Sequence, residues 1–150
     1  MTTSNVPTFA AIMFLTGVGI PVLAALNGGL GARLGSPMAA SVILFGLALF
    51  IALAGAAATA SLGAVRLSPG VPAQFYFGGL FVAFYVIAVT FIAPRFGVGN
   101  AIFFVLAGQL VSAAAIDHFG LFGSMRYPID AKRALGIALM IAGVYLARRT

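Results

Sequence analysis

Five apolar runs separated by short polar connections organise this chain. Thr8–Leu30 carries no charge. Leu34–Val65 is a second uncharged stretch, and Pro37 suits the first turn of its helix. Ala73–Ala93 is the third and is rich in Phe and Tyr. Val98–Ile116 is the fourth, and Gly120 stands where a helix would stop. The fifth, Ala131–Ala147, is the shortest. Lys132, Arg133, Arg148 and Arg149 flank it and can snorkel to the interfaces, and Asp130 is a candidate N-cap. A spanning helix needs about 20 apolar residues, roughly 17–25. The pattern therefore predicts an all-α integral membrane protein with five transmembrane helices, at 8–30, 37–63, 73–93, 98–117 and 131–147, forming a single five-helix domain over residues 1–150.

Composition agrees with lipid as the solvent. The chain is 63% apolar and 7% charged, with a mean hydropathy of +1.17, whereas soluble domains carry about 25% charged residues. A net charge of +6 would suit nucleic acid, but the eight basic residues are scattered, with no stripe and no aromatic platform beside one. No nucleic-acid partner is expected. The absence of cysteine excludes disulfides and thiolate metal sites. The start "MTTSNVPTFA" lacks a basic n-region and a cleavage-site pattern, so the first run is expected to be retained.

Small residues supply packing surfaces. Ala24 with Gly28, Ala25 with Gly29, Gly79 with Ala83, and Gly108 with Ser112 each fit the small-xxx-small spacing of close helix approach. Gly136 and Gly143 share a face of the last helix. "ARLGSPMAA" at 32–40 echoes "PRFGVGNAI" at 94–102, each joining two helices.

Charge placement bears on orientation. With five crossings, the side holding the N-terminus carries Arg66, Arg126, Lys132 and Arg133. The other side carries Arg33, Arg95, Arg148 and Arg149. The positive-inside rule counts Lys and Arg in short loops and here gives no preference. A short chain that inserts both ways can pair as an antiparallel dimer and so build an inverted repeat from two copies. The inference depends on the fifth helix crossing. If it lay on the surface, the count would become six against two.

The chain resembles the YdcZ-type family of the drug/metabolite transporter superfamily over nearly its whole length. The residues that carry the resemblance are "PVLAALNGGLGARLGSPMAASVILFG", "GGLFVAFYVIAVTFIAPRFGVGNA", "GQLVSAAAIDHFGLFG" and "RALGIALMIAGVYL". The combination of Gly-Gln with Asp-His-Phe-Gly is the most specific element. The resemblance implies a five-helix bundle in the bacterial inner membrane, assembled as an antiparallel pair of identical or homologous chains resembling a ten-helix carrier. It also implies export of a small molecule. One departure is Leu23, where relatives often carry Gln four residues before the Asn; if that Gln touches substrate in relatives, the resemblance implies a different specificity here.

Polar groups inside a membrane are costly, and each is a candidate functional site. Gln109 lies mid-helix in the fourth run. Asn27, late in the first, and Asn100, early in the fourth, are expected near the same membrane side. With Ser112 and Tyr85 they form the candidate cavity lining. For each amide the alternative is interhelical glue. Phe77, Phe81, Phe84 and Tyr85 follow helical spacing, as a cavity wall or as lipid-facing packing.

Asp117 and His118 are neighbours, so their side chains point about 100° apart and do not form an acid–base dyad within the helix. Asp117 sits at a helix C-terminus, where the dipole disfavours an anion by about 0.3–1 kcal/mol. Arg126, Lys132 or Arg133 can answer it. The residues Asp117, His118, Arg126 and Arg133 are thus read as an interfacial ion pair or a gate, with pH sensitivity assigned to the histidine.

No carboxylate lies in the first three runs, so proton exchange through a buried first-helix Glu, as in small multidrug exporters, is excluded. No nucleotide loop, H-E-x-x-H or G-x-S-x-G motif occurs, and neither a metal, a cofactor nor an enzyme activity is expected. The leading reading is a secondary transporter acting as a dual-topology antiparallel dimer. The competing one is a membrane scaffold or regulatory subunit acting with a homologous partner.

Overall fold

A computed structural model describes residues 6–147. Residues 1–5 and 148–150 lie outside it, and with them Arg148 and Arg149 of the charge count. The described residues are helical, without strands: α1 (Val6–Leu34), α2 (Pro37–Ala58), α3 (Gly78–Phe96), α4 (Val98–Phe119) and α5 (Ala131–Ala147). A 3-10 turn over Ala73–Phe77 leads into α3, giving a continuous helical stretch Ala73–Phe96. Four helical stretches are long and apolar enough to cross a membrane. The fifth helix has 17 described residues, a rise of about 25 Å against a hydrocarbon core of about 30 Å.

Local chemistry sets the helix ends. Gly35, in the left-handed region at φ 63°, closes α1, and the Ser36 N–H donates to Gly31 O at 3.0 Å. Ser36 then caps α2: its Oγ accepts from the Ala39 N–H at 3.1 Å, and Pro37 occupies the first turn. The second helix ends at Ala58, short of the boundary expected at 63. Thr59 Oγ1 donates to Gly55 O at 2.9 Å and Ser61 Oγ to Ala56 O at 3.2 Å. These hydroxyls satisfy carbonyls that another helical turn would otherwise have used. The third helix continues through Pro94 to Phe96, although the proline cannot donate to the Thr90 carbonyl.

By contacts the chain divides between Arg95 and Phe96 into two compact units. In the first, α1 packs extensively on α2 and touches α3. The buried face of α1 is Ala24, Asn27, Gly28 and Gly31, the i, i+3, i+4, i+7 stripe of a helical contact. Ala40 and Ser41 of α2 and Val86, Val89, Thr90 and Ala93 of α3 are buried as well, and Asn27 of the stripe reaches Thr90. A Cβ on Gly28 would lie 3.0 Å from Pro94 Cγ, and one on Gly31 3.1 Å from Pro37 Cα. The largest fully buried side chains are Thr90 and Ser41, so small groups make the crossing and Phe, Leu and Ile point outward. Of the small pairs, Ala24 with Gly28 is used in this way; Gly79 and Gly108 have nothing within 4 Å of a notional Cβ. In the second unit α4 packs on α5.

The two similar connectors share a local device. Arg33 Nη1 donates to Gly29 O at 3.2 Å and Arg95 Nη1 to Phe91 O at 2.5 Å, each four residues back. A left-handed glycine follows each arginine by two, Gly35 and Gly97.

Candidate functional site

In the first unit the polar centre is the pair Asn27 and Thr90. Asn27 Nδ2 donates to Thr90 Oγ1 at 2.6 Å, with both residues buried. In a low-dielectric crossing such a bond is enforced, because a free amide there loses its full desolvation energy. Beside this pair lies an open cleft of about 380 Å³, lined by Gly28, Gly31, Pro37, Thr90, Pro94 and Arg95 among others. The glycines make room for it. Arg95 stands at the cleft with its guanidinium 4.1 Å over the Phe91 ring. Neither Asp nor Glu occurs before Asp117 in the whole chain, so the cleft wall carries positive charge only.

The other predicted lining residues are placed as follows. Tyr85, half-buried on α3, has a buried hydroxyl without a partner. Phe77, Phe81 and Phe84 are exposed. Asn100 Nδ2 donates to Phe96 O at 3.1 Å within its own helical turn. Gln109 and Ser112 are exposed on α4, and Ser112 Oγ donates to Gln109 O at 3.2 Å. Asn27 is thus brought together with Thr90, a residue that sequence reasoning missed. Its signal was weak: helical hydroxyls commonly bond their own backbone and carry no interhelical message.

In the second unit the Asp-His segment ends α4. Gly120 adopts φ 64° and returns its N–H to Ile116 O. Residues 120–130 then fold back as a strap over the helix end. Ser124 Oγ donates to Ile116 O at 3.3 Å, the Tyr127 N–H to Asp117 O at 2.8 Å, and Arg126 Nε to His118 O at 3.2 Å. The Ile116, Asp117 and His118 carbonyls at the end of α4 are therefore answered by the strap. The fold-back needs three left-handed residues: Gly120, Phe122 at φ 57° and Gly123 at φ 80°. For Phe122 that conformation costs roughly 1–2 kcal/mol.

Asp117 pairs with Arg133 of α5, Nη2 to Oδ2 at 2.5 Å, each side chain about a third exposed (32% and 36%). Arg133 Nη1 also donates to Tyr127 O at 2.9 Å. The guanidinium forks between a carboxylate at the end of α4 and the strap, and Arg126 serves a carbonyl instead of the carboxylate. Asp130 Oδ1 accepts the Arg133 N–H at 2.7 Å and so caps α5. His118 Nδ1 accepts the Ile129 N–H at 3.0 Å, and its ring stands edge-on to Phe119. Among the described residues no group of three or more His, Cys, Asp or Glu could hold a metal ion.

Long apolar helices crossing on small residues, with few charged groups and those near helix ends, define a multi-pass membrane protein. A family model described as "Putative inner membrane exporter, YdcZ" matches residues 8–146, and the chain belongs to that family. It is accordingly a protein of the inner membrane, in a family described as exporters, which are transporters and not enzymes. No curated protein and no solved structure matches the chain.

Proposed function

We propose that the chain is one half of an exporter for a small molecule, completed by a second copy or a homologous chain in the opposite orientation. The open polar face of α4 carries this reading. Gln109 and Ser112 are exposed on a helix of spanning length, and an amide facing hydrocarbon is costly. An antiparallel partner converts that face into the wall of a shared polar cavity, and the small residue Gly108 beside it permits close approach. Asn27, engaged with Thr90, is assigned to holding α1 on α3 and not to cargo. The same engagement supports the scaffold reading for the first unit, in which the amide serves only assembly.

The test is counterflow in proteoliposomes against a panel of neutral, cationic and anionic metabolites, with the dimer measured in parallel. Gln109→Leu is expected to change transport while sparing the dimer. Intact transport with a dimer weakened by about 0.6 kcal/mol, or up to about 1.7, would make Gln109 interhelical glue. No counterflow with any compound, together with a stable complex with a homologous chain, would favour the scaffold.

A further inference from the structure

We infer that His118 is a proton-operated latch on the strap joining α4 to α5: neutral imidazole holds the strap closed, and protonation releases it. Neutral imidazole has one lone pair to offer, here on Nδ1. It accepts the Ile129 N–H at 3.0 Å, so the ring is neutral with its proton on Nε2. Imidazolium carries protons on both nitrogens and has no lone pair to offer. Adding a proton therefore turns this contact from a bond into two opposed N–H groups.

The surroundings make release the outcome. The strap's other bonds to the end of α4 finish on carbonyl oxygens of Ile116, Asp117 and His118, which do not titrate in this range. The charged groups at this end of the unit are Asp117 on the same helix, Arg126 on the strap, and Asp130, Lys132 and Arg133 around the start of α5. Asp117 is already engaged by Arg133, and Asp130 caps α5 through the Arg133 N–H. Arg126 sits against the His118 carbonyl, so a new cation would stand beside an existing one without a free carboxylate contact. The strap is also sprung, since Phe122 is held in a left-handed conformation that a side chain rarely adopts. His118 and Ile129 together line one part of an apolar groove of about 560 Å³, with Phe119, Ala134 and Ile137 of the flanking helices. Opening the latch thus frees the Ile129 end of the strap, where it lines this groove, while the bonds to the Ile116, Asp117 and His118 carbonyls keep the rest of the strap in place. Histidine is the side chain whose ordinary titration falls between about pH 5 and pH 8, and His118 is the chain's sole histidine.

The chain contains no cysteine, so Pro128→Cys, at an exposed strap position next to Ile129, gives a single site for a nitroxide spin label. The full chain in lipid nanodiscs is examined at pH 8 and pH 5. The expected result is an immobile line shape at pH 8 and a mobile fraction that rises several-fold at pH 5. In His118→Asn, the side-chain oxygen replaces the Nδ1 acceptor and cannot gain the proton, so the strap should stay immobile at both values. In His118→Phe it should be mobile at both. A pH-invariant line shape in the otherwise unchanged chain overturns the latch. So does a pH response that persists in His118→Asn and vanishes in Asp117→Asn, which would assign the switch to the ion pair.

Discussion

Asn27 and Asp117 face the same difficulty, a polar group where water is scarce, and the chain answers each with a single partner. For Asn27 the partner is Thr90 on another helix, at 2.6 Å and fully enclosed. For Asp117 it is Arg133, at a third-exposed position, where screening leaves such a pair worth about 0–1 kcal/mol. The buried bond should therefore matter more to stability, despite carrying no charge. Thr90→Val keeps the shape and removes the acceptor. Thr90→Val and Asn27→Ala should each destabilise the folded chain in bilayer unfolding measurements, and their double-mutant cycle should give a coupling of about 0.6–1.7 kcal/mol. Zero coupling would mean that the two side chains do not hold each other. Asn27 was visible in the sequence as an expensive residue late in an apolar run. Its partner was not, because a helical threonine is usually content with the carbonyl four residues back.

At the scale of elements, glycine does two different things in this chain. Gly31 lies where α1 meets the start of α2, and a Cβ there would stand 3.1 Å from the Pro37 Cα and 3.4 Å from Thr90 Cγ2. The first neighbour is backbone and cannot turn aside. Gly31→Ala should therefore cost about 1–3 kcal/mol, the usual penalty of overpacking. Gly46→Ala on α2, with nothing within 4 Å of the new carbon, should be neutral or stabilising by up to about 1 kcal/mol through helix propensity. Thermal unfolding of the two variants side by side decides the matter; equal effects would refute the tight crossing. Length and apolarity made the spanning stretches readable. The ends of some were less so. The run after Ala58 stays apolar, and the helix stops where Ala60 turns left-handed at φ 54°, with the Ser61 N–H returned to Ala56 O at 2.8 Å and the Thr59 and Ser61 hydroxyls bonded back to Gly55 and Ala56. The strap of 120–130 was harder still, since each of its bonds to α4 uses on at least one side a backbone group that every sequence possesses. Gly120 and Gly123 announced a turn, but not that Ile129 would return to His118.

At the scale of the whole molecule the open question is orientation. Arg66, Arg126, Lys132 and Arg133 fall on one side and Arg33, Arg95, Arg148 and Arg149 on the other, provided that α5 crosses the membrane. The positive-inside rule then has nothing to act on, and both insertions should occur. The condition is a real one, for α5 has 17 described residues and sits near the short limit for a crossing. Topology reporters fused at the C-terminus should give signal from both faces of the inner membrane. Two lysines added to the loop around Leu67 and Ser68 should drive the population toward the form with that loop in the cytoplasm. If the chain works as an antiparallel pair of itself, that bias should also abolish transport, and co-expression of a copy biased the other way should restore it. A single orientation before any lysine is added would overturn the homodimer and leave two alternatives: a homologous partner of opposite bias, or an α5 that lies along the surface and shifts the count to six against two. A periplasmic protease-site insertion after Ala147 separates them. Cleavage in cells where the loop around Arg66 is cytoplasmic places the two ends of the final helix on opposite sides and preserves the heteromeric pair.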